Sequence, residues 1–411
     1  MTRFIFSLLF VSCSLVLGKA QSEVDSLLQI AKEEFRKEFS EQNFLTVIEV
    51  LTAAKEIDPS NQEVLYFLGY GYDRLNSLDG TTVPNQTYEL SEKASIQFEE
   101  IISSGIRYTG EELVQDPYSK ITSIWGSLAL KYLNKNDIDS VRISFAEGKR
   151  RGGFHPALLE LSRNTLASCD SNSILFSSGD LFTFSLLYSQ VVDSLRTDIQ
   201  IVDLALLSAE WYGDYLSFSS KNAVIQEAIG YNRFPAYAEA ATKTRAIETP
   251  CCDPENVLIW NIDQLRSGQY LFRGDLILEQ IVARNQSKHR IYFTVGNFPE
   301  DMLSLHNYLL KGALVNELSF CADRLSNELS QNWDVMKFEY LVDDTIVESP
   351  YLVQILNNYR FGFYFEIQRE VALDNMTRAR ELVERMHTLI PLETLPYVND
   401  QMKNFFDWFD N

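Results

Sequence analysis

The sequence predicts a mostly α-helical protein that contains one small α/β domain. Three observations lead to this fold class. Residues 23–165 contain few prolines and repeat apolar residues every three or four positions, which is typical of helices. Residues 174–207 then alternate between strand, helix and strand patterns. Residues 351–389 return to the helical period, so helices flank the α/β domain on both sides.

The first twenty residues match the pattern of a cleaved export signal. Arg3 precedes a mostly apolar run over residues 4–17, and Gly18-Lys19-Ala20 places small residues before a cleavage site at Gln21. The run is shorter than the roughly 20 residues that a membrane-spanning helix needs. A lipoprotein signal at Cys13 is the weaker alternative, because the apolar run continues past it. We therefore expect an exported, periplasmic protein with no membrane span after signal cleavage.

The charge and cysteine content narrow the classes of function. The chain has 36 basic and 57 acidic residues, a formal net charge of −21, which disfavours binding to nucleic acid and to anionic lipid head groups. Beyond the signal the cysteines are Cys169, Cys251, Cys252 and Cys321. They form no CxxC pair, and no nearby histidine completes a metal site, so we expect neither a metal nor a cofactor. One long-range disulfide stays possible in an oxidising compartment.

Residues 21–167 are predicted to form helical repeats. Two successive stretches follow the spacing of helical hairpins: Leu51, Ala54 and Asp58-Pro59, then Leu65, Leu68-Gly69 and Tyr72. Residues 76–89 are rich in Gly, Pro, Asn and Thr, which indicates an inserted loop. The pattern resembles tetratricopeptide repeats over about residues 30–165. The alternative is an irregular helical bundle.

Residues 168–320 are predicted to form a small α/β domain with a short parallel, Rossmann-like sheet. Ile174-Leu175-Phe176 is a short apolar strand, residues 181–195 are a helix and residues 199–207 are a second strand. Such a unit has parallel strands and a right-handed crossover. The remaining predicted elements are a strand at 257–260, a helix at 275–283 and a strand at 290–295.

Residues 321–411 are predicted to form a C-terminal helical hairpin that resembles one more repeat. Helices at 351–372 and 375–389 form its two arms, and Pro391 and Pro396 close it. The aromatic end at residues 405–410, "FFDWFD", is expected to dock against this hairpin or against a partner.

The stretch Ser177-Ser178-Gly179-Asp180 is the first candidate site, because ligands bind beyond the carboxyl ends of parallel strands. Backbone N–H groups at the start of the next helix could bind an anion there. Asp180 could also serve as a catalytic acid or base. The alternative, which we favour, is that Asp180 caps the helix and Gly179 makes a tight turn. No phosphate-binding glycine motif or nucleophile motif is present.

Asp203, Glu210 and Trp211 follow the second strand and could join Gly179 and Asp180 in one binding site. The alternative is a polar strand end followed by an aromatic core residue. A convergent polar cleft that holds Asp180 with Asp203 or Glu210 would favour an enzyme. A sealed strand edge and an open aromatic groove would favour a scaffold. The four histidines, at 155, 289, 306 and 387, are scattered and show no ligand spacing.

From residue 172 onward the sequence resembles a known family. The stretch "NSILFSSGDLFTFSLLYSQVVDSLRTDIQIVDLALLSAEWY" resembles the soluble C-terminal region of bacterial multi-spanning membrane proteins related to protein O-mannosyltransferases. The residues that match are Gly179, Asp180, Thr183, Phe184, Arg196, Thr197, Asp198, Trp211 and Tyr212. "HRIYFTV" and "RARELVERMHTLIPLETLPY" resemble a later strand and the closing helical repeat of the same region, so the resemblance spans about residues 170–400.

Two departures limit what the resemblance implies. The family turn carries a second acidic residue where this chain has Leu181 and Phe182, and helical repeats stand where the family has its membrane-spanning, transferase-like half. The resemblance therefore implies an envelope-side accessory domain that recognises a glycan, a lipid-linked sugar or a polypeptide, and not the transferase activity. We expect an exported, non-catalytic binding or scaffold protein of the bacterial cell envelope, accessory to glycosylation or envelope assembly, with a protein partner on its helical repeats. The alternative is an enzyme that acts on glycans or lipid-linked sugars through Asp180.

A third possibility is that the protein is itself a glycosylation substrate. Four Asp-Ser/Thr-apolar triplets, which begin at Asp25, Asp139, Asp193 and Asp344, look like short acceptor sequences of some bacterial envelopes. So short a pattern also arises by chance.

Overall fold

An N-terminal array of helices, a five-stranded sheet and a C-terminal group of helices make up the chain. The structure is a computed structural model that describes residues 20–220, 222–230, 234–239, 243–248, 257–262, 270–285, 288–296, 302–320 and 333–410. Residues 1–19 of the predicted export signal therefore lie outside the described residues, and Ala20 is described as helical. None of the helices in the described ranges is long and apolar enough to cross a membrane.

Seven helices form the N-terminal array: α1 (20–36), α2 (Phe44–Ile57), α3 (Gln62–Asn76), α4 (Tyr88–Ser103), α5 (Pro117–Asn134), α6 (Ile138–Arg150) and α7 (Pro156–Ala167). Side chains of Asn43, Asn61, Thr87 and Asp116 cap α2 to α5 by accepting backbone N–H groups. Gly69 allows α3 and α4 to approach closely, because a Cβ there would lie 2.7 Å from the Phe98 ring. The helices α2, α3 and α4 pack in chain order, as helical repeats would, and the tetratricopeptide assignment itself stays a prediction.

The predicted inserted loop is ordered. It contains a short 3-10 helix at Gly80–Asn85, which Asp79 caps through the N–H of Thr81. The 3-10 segment packs against α5. This loop thus lies against the helical array instead of projecting into solvent.

The central sheet has the strand order β2-β1-β7-β9-β8. Its strands are β1 (Ile174–Ser177), β2 (Gln200–Asp203), β7 (Ile291–Thr294), β8 (Leu309–Leu310) and β9 (Val315–Leu318). The strands β2, β1 and β7 are parallel, so the predicted strand-helix-strand unit is confirmed. The sheet as a whole is mixed and not purely parallel. β9 is antiparallel to β7, and β8 is antiparallel to β9. A short connection can join β8 to β9 only as an antiparallel pair.

Four further strands form two separate antiparallel pairs, β3 (Tyr237–Glu239) with β6 (Tyr270–Phe272) and β4 (Lys243–Glu248) with β5 (Val257–Ile262). The predicted strand at 257–260 is therefore part of β5 and lies outside the central sheet. Four helices accompany the strands: α8 (Asp180–Val191), α9 (Glu210–Ser219), α10 (Ala223–Ile229) and α11 (Arg273–Asn285). The helix α8 packs against α5 and α7, which connects the sheet to the N-terminal array.

The predicted C-terminal hairpin is present as α12 (Pro350–Leu356), α13 (Asn358–Ala372) and α14 (Met376–Leu389), followed by α15 (Asp400–Asp410). Asn357 separates α12 from α13, and its side-chain amide donates to the carbonyls of Val353 and Pro396. The remaining helical turns are 3-10 segments at Phe39–Glu41, Leu206–Ser208, Met302–Tyr308, Trp333–Val335 and Asp344–Glu348. One buried apolar cluster extends from Val24 to Leu318, and a second joins α7, α8 and the C-terminal helices.

Candidate functional site

The turn between β1 and α8 has the geometry that the sequence predicts for a tight turn. Gly179 has φ +91°, a backbone conformation that L side chains rarely adopt, and it is exposed. No atom lies within 4 Å of the position that a Cβ would take. The glycine is therefore required by its backbone angle and not by the close approach of a neighbour.

Asp180 does not cap α8, so that part of the prediction is wrong. It is the first residue within the helix, Gly179 occupies the capping position, and no side chain caps this end. The carboxylate Oδ2 of Asp180 instead accepts a hydrogen bond from Ser123 Oγ on α5, at 2.5 Å. Because α5 packs against α8, Asp180 serves as a link between these two helices.

Asp203, at the end of β2, is buried, and both of its carboxylate oxygens accept hydrogen bonds. Oδ1 accepts the backbone N–H groups of Ala205 (2.8 Å) and Leu206 (3.0 Å). Oδ2 accepts the hydroxyl of Thr183 (2.6 Å), and Thr183 Oγ1 also lies 2.9 Å from Ser177 Oγ. This network joins the ends of β1 and β2 to the first turn of α8.

Burial raises the pKa of Asp203. Removal from water raises its pKa to about 6, the charge of Asp180 adds a smaller effect, and the bonds from Thr183 and the backbone oppose the rise. With only 3% of its surface exposed, Asp203 cannot reach a substrate in this conformation. Its carboxyl group therefore stabilises the turn after β2.

Trp211 and Glu210, at the start of α9, do not converge on Asp180. Trp211 Nε1 donates to the carbonyl of Gly80 in the inserted loop, at 2.8 Å. Glu210 is exposed and has no hydrogen bond or ion pair with another described residue. Tyr212 carries the family resemblance but was not predicted as a site residue, and its hydroxyl accepts the N–H of Asp203 at 2.9 Å.

A small polar cleft remains beside Asp180. It has a volume of about 160 Å³ and is also lined by Ser123, Lys120, Asp73 and residues of the inserted loop. Lys120 and Asp73 form a largely buried ion pair at 2.6 Å. The volume equals that of about five water molecules, whereas ligand pockets usually measure about 300–1,000 Å³. The carboxyl edge of the sheet is thus mostly filled by the protein's own residues.

The turn before β2 holds two of the residues that carry the family resemblance. The guanidinium of Arg196 donates to the carbonyls of Leu166, Cys169 and Asp170, and it forms a salt bridge with Asp198 at 3.1 Å. The ion pair lowers the pKa of Asp198 to about 2. Both residues therefore connect the end of α7 to the turn before β2.

An open, aromatic-lined surface lies at the C-terminal helices, where the sequence predicts that the aromatic end docks against the hairpin or against a partner. We call it the aromatic groove; it measures about 490 Å³ and is lined by Phe361, Tyr364, Asn399, Gln401, Met402, Asn404, Phe405 and Trp408. The Tyr364 and Phe405 rings meet edge to face with centroids 4.4 Å apart. Trp408 is 62% exposed. The aromatic residues of α15 thus both anchor the helix and present rings to solvent.

A second depression, the C-terminal cleft, adjoins the aromatic groove and shares Phe361 and Asn399 with it. Its volume is about 790 Å³, the other lining residues being Arg107, Gly296, Val347, Pro350, Val353, Gln354, Ile355, Asn358, Pro396, Tyr397 and Val398. Only Arg107 is charged among the described residues that line this cleft.

Metal-ligating and nucleophilic groups do not cluster within the part of the chain that the structure describes. No group of three or more His, Cys, Asp or Glu residues there is arranged to hold a metal ion. Cys169 is a buried free thiol, and Cys251, Cys252 and Cys321 lie outside the described residues. His155 caps α7 by accepting the N–H of Ala157, and burial lowers its pKa.

Comparison with known proteins gives one family match. No curated protein and no solved structure matches the chain. Residues 159–226 match the model of TMEM260-associated domain 2, a stretch that includes β1, α8, β2 and α9. TMEM260 is a protein O-mannosyltransferase-like family, which fits loosely with the resemblance found from residue 172 onward. Over the strand-helix-strand unit, this chain is similar to TMEM260-associated domain 2.

Proposed function

We propose that this protein is an exported, non-catalytic binding or scaffold protein of the bacterial cell envelope, accessory to glycosylation or envelope assembly. In this role it captures a polypeptide partner in its aromatic groove. The observation that carries the proposal is the open groove at α13 and α15, together with the filled edge of the sheet. The N-terminal helices offer a second surface for the same partner, since helical arrays suit extended segments.

The composition of the aromatic groove suits a protein partner. Phe361, Tyr364, Phe405 and Trp408 supply aromatic surface, and Asn399 supplies an amide at the rim. Tryptophan and tyrosine dominate the binding energy of many protein interfaces, because large rings bury much area at little conformational cost. An exposed aromatic patch of this kind is uncommon on a soluble surface that binds nothing.

The rival function is an enzyme that acts on glycans or lipid-linked sugars through Asp180. Its supporting observation is that Asp180 lines a polar cleft with the ion pair of Lys120 and Asp73. Against it, Asp203 is buried and both of its carboxylate oxygens accept hydrogen bonds, Glu210 faces solvent, and the cleft measures only about 160 Å³.

Peptide selection on the purified protein tests the proposal. Peptides enriched from a random phage-displayed library are synthesised, and their affinities are measured by fluorescence anisotropy. Trp408→Ala should weaken binding at least 10-fold, as expected for a tryptophan that contributes about 2 kcal/mol or more to an interface. The matched control is Phe218→Ala, since Phe218 is 86% exposed on α9 and lines no part of the groove.

Two outcomes would reject the proposed site. One is equal affinity of the wild type and Trp408→Ala for every selected peptide. The other is loss of binding in a folded Asp180→Ala variant with Trp408→Ala unaffected, which would make the strand end the working site. Under our proposal Asp180→Ala keeps its affinity, because Asp180 only links α8 to Ser123 on α5.

A further inference from the structure

The C-terminal cleft has the size and lining of a small-molecule site. Its 790 Å³ lies within the range of about 300–1,000 Å³ that is usual for ligand pockets. Apolar side chains such as Val347, Val353 and Val398 cover much of the wall, and the amides of Gln354 and Asn358 provide a few polar contacts. Such sites typically combine an apolar wall with a small number of polar groups that orient the ligand.

Arg107 places a cation at this cleft. It is exposed, and its guanidinium has no ion pair or hydrogen bond with another described residue. Its charge acts weakly on Glu112, which does not line the cleft. In a chain of net charge −21, a cleft whose described lining contains an arginine and no carboxylate is locally favourable to an anion.

A second guanidinium lies directly behind the wall of the cleft. Arg360 is 0% exposed and donates to Asn357 Oδ1 (2.9 Å), the Pro396 carbonyl (3.2 Å) and the Ile390 carbonyl (3.3 Å). It lies 4.9 Å from the centre of the Tyr397 ring. Pro396 and Tyr397 themselves line the cleft, so the charge of Arg360 is one residue layer away from it.

The charge of Arg360 is not balanced by a carboxylate. The described part of the chain contains no acid paired with it, and its Nε has no hydrogen-bond partner. Burial lowers the pKa of Arg360 to about 10, so the group stays cationic at neutral pH. A buried, uncompensated charge is costly, and its field is weakly screened because little water lies around it. An anion in the adjacent cleft would reduce that cost.

We propose that the C-terminal cleft binds an amphipathic anion, whose apolar body packs against the valine and proline side chains and whose carboxylate or phosphate head meets Arg107 in the field of Arg360. The head group could belong to a lipid or to a free amphiphile, and the chemistry is the same. This ligand is independent of the peptide proposed for the aromatic groove, because the charged residues lie only at the cleft.

Two ligands with the same apolar chain, one charged and one neutral, separate the contribution of the charged head group to binding from that of the apolar body. The purified protein is loaded with the fluorescent dye 1-anilinonaphthalene-8-sulfonate, and decanoate or decan-1-ol is added to displace it. Decanoate should displace the dye at a concentration at least 10-fold lower than decan-1-ol does. Arg107→Gln should weaken decanoate at least 10-fold and leave decan-1-ol unchanged, since the variant loses the hydrogen bond from a cation to the carboxylate.

Control variants locate the site. Arg142→Gln removes another exposed arginine that has no partner among the described residues, and it should leave decanoate unchanged. Arg107→Lys should recover part of the affinity. Equal displacement by the two ligands, or an Arg107→Gln variant that binds decanoate normally, would overturn the proposal. So would loss of decanoate binding in Trp408→Ala alone, which would move the ligand into the aromatic groove.

Two further arms identify the source of the head group. Inorganic phosphate that displaces the dye as well as decanoate does would overturn the requirement for an apolar body. Vesicles of phosphatidylglycerol that retain the wild type but release Arg107→Gln would support the proposal with a lipid as the ligand. Decanoate binding without vesicle binding would support it with a free amphiphile as the ligand.

Discussion

Replacing Asp203 by Asn is expected to stabilise the protein at neutral pH. The Asn carbonyl oxygen can still accept the N–H groups of Ala205 and Leu206, and its NH₂ can donate to Thr183 Oγ1, which then donates to Ser177. Asn therefore preserves the hydrogen-bond network while removing the charge. The wild-type carboxylate, in contrast, must ionise in a buried position at neutral pH.

The size of this effect follows from the pKa of Asp203. Burial raises that pKa from 3.8 to about 6. The folded state thus prefers the neutral acid, and the wild type loses stability as the pH rises from about 4 to about 6. At about 1.36 kcal/mol per pH unit, the full cost is about 3 kcal/mol at pH 7.5, and about half of it is already present at pH 5. The stability gap between variant and wild type should widen by roughly 1 kcal/mol or more between these pH values.

Urea unfolding of both proteins at pH 5, 6 and 7.5 measures that gap. A gap that stays constant with pH, or an Asn variant less stable than the wild type at pH 7.5, would refute the argument. Asp198→Asn is the control of opposite sign. The salt bridge with Arg196 lowers the pKa of Asp198 to about 2, so its contribution is present above about pH 4 and is lost as the pH falls toward 2.

Two further predictions test the packing. Gly126→Ala should destabilise the protein by about 1–3 kcal/mol in thermal unfolding, because the new Cβ would lie 2.3 Å from the Phe184 ring where α5 meets α8. Gly213→Ala should be neutral or stabilising, because the nearest neighbour of its new Cβ would lie at 3.8 Å. Equal effects of the two changes on stability would contradict this reasoning. Cys169 should resist iodoacetamide at pH 8 in the folded protein and react in urea, because burial raises the pKa of its thiol to about 12. Site-resolved mass spectrometry measures the labelling. Rapid labelling without urea would contradict this prediction.

Local patterns in the sequence were sufficient to predict the helices and the strand-helix-strand unit. Apolar periodicity reports which face of an element will be buried, and that depends only on nearby residues. The prediction over residues 174–207 is confirmed by β1, α8 and β2, and the hairpin over residues 351–389 is confirmed by α12 to α14. The positive φ of Gly179 was predictable for the same reason, because a two-residue connection from strand to helix needs it.

Strand order was not predictable from these patterns. β7 pairs with β1 across more than one hundred residues, and β5 pairs with β4 outside the central sheet. Both segments have similar apolar composition, so the sequence alone could not assign them to different sheets. Pairing of distant strands is decided by the packing of the whole chain.

For the candidate sites, too, the sequence predicted some features and the packing of the chain decided others. The sequence by itself determined that Asp180 and Asp203 stand at the ends of two neighbouring parallel strands. Only the tertiary structure decided that Ser123 binds Asp180, that the inserted loop contacts Trp211, and that Arg360 lies uncompensated behind a cleft. The physical reason is that the hydrogen bonding and ionisation of a side chain depend on the residues that packing brings to it, and most of these are far away in the sequence.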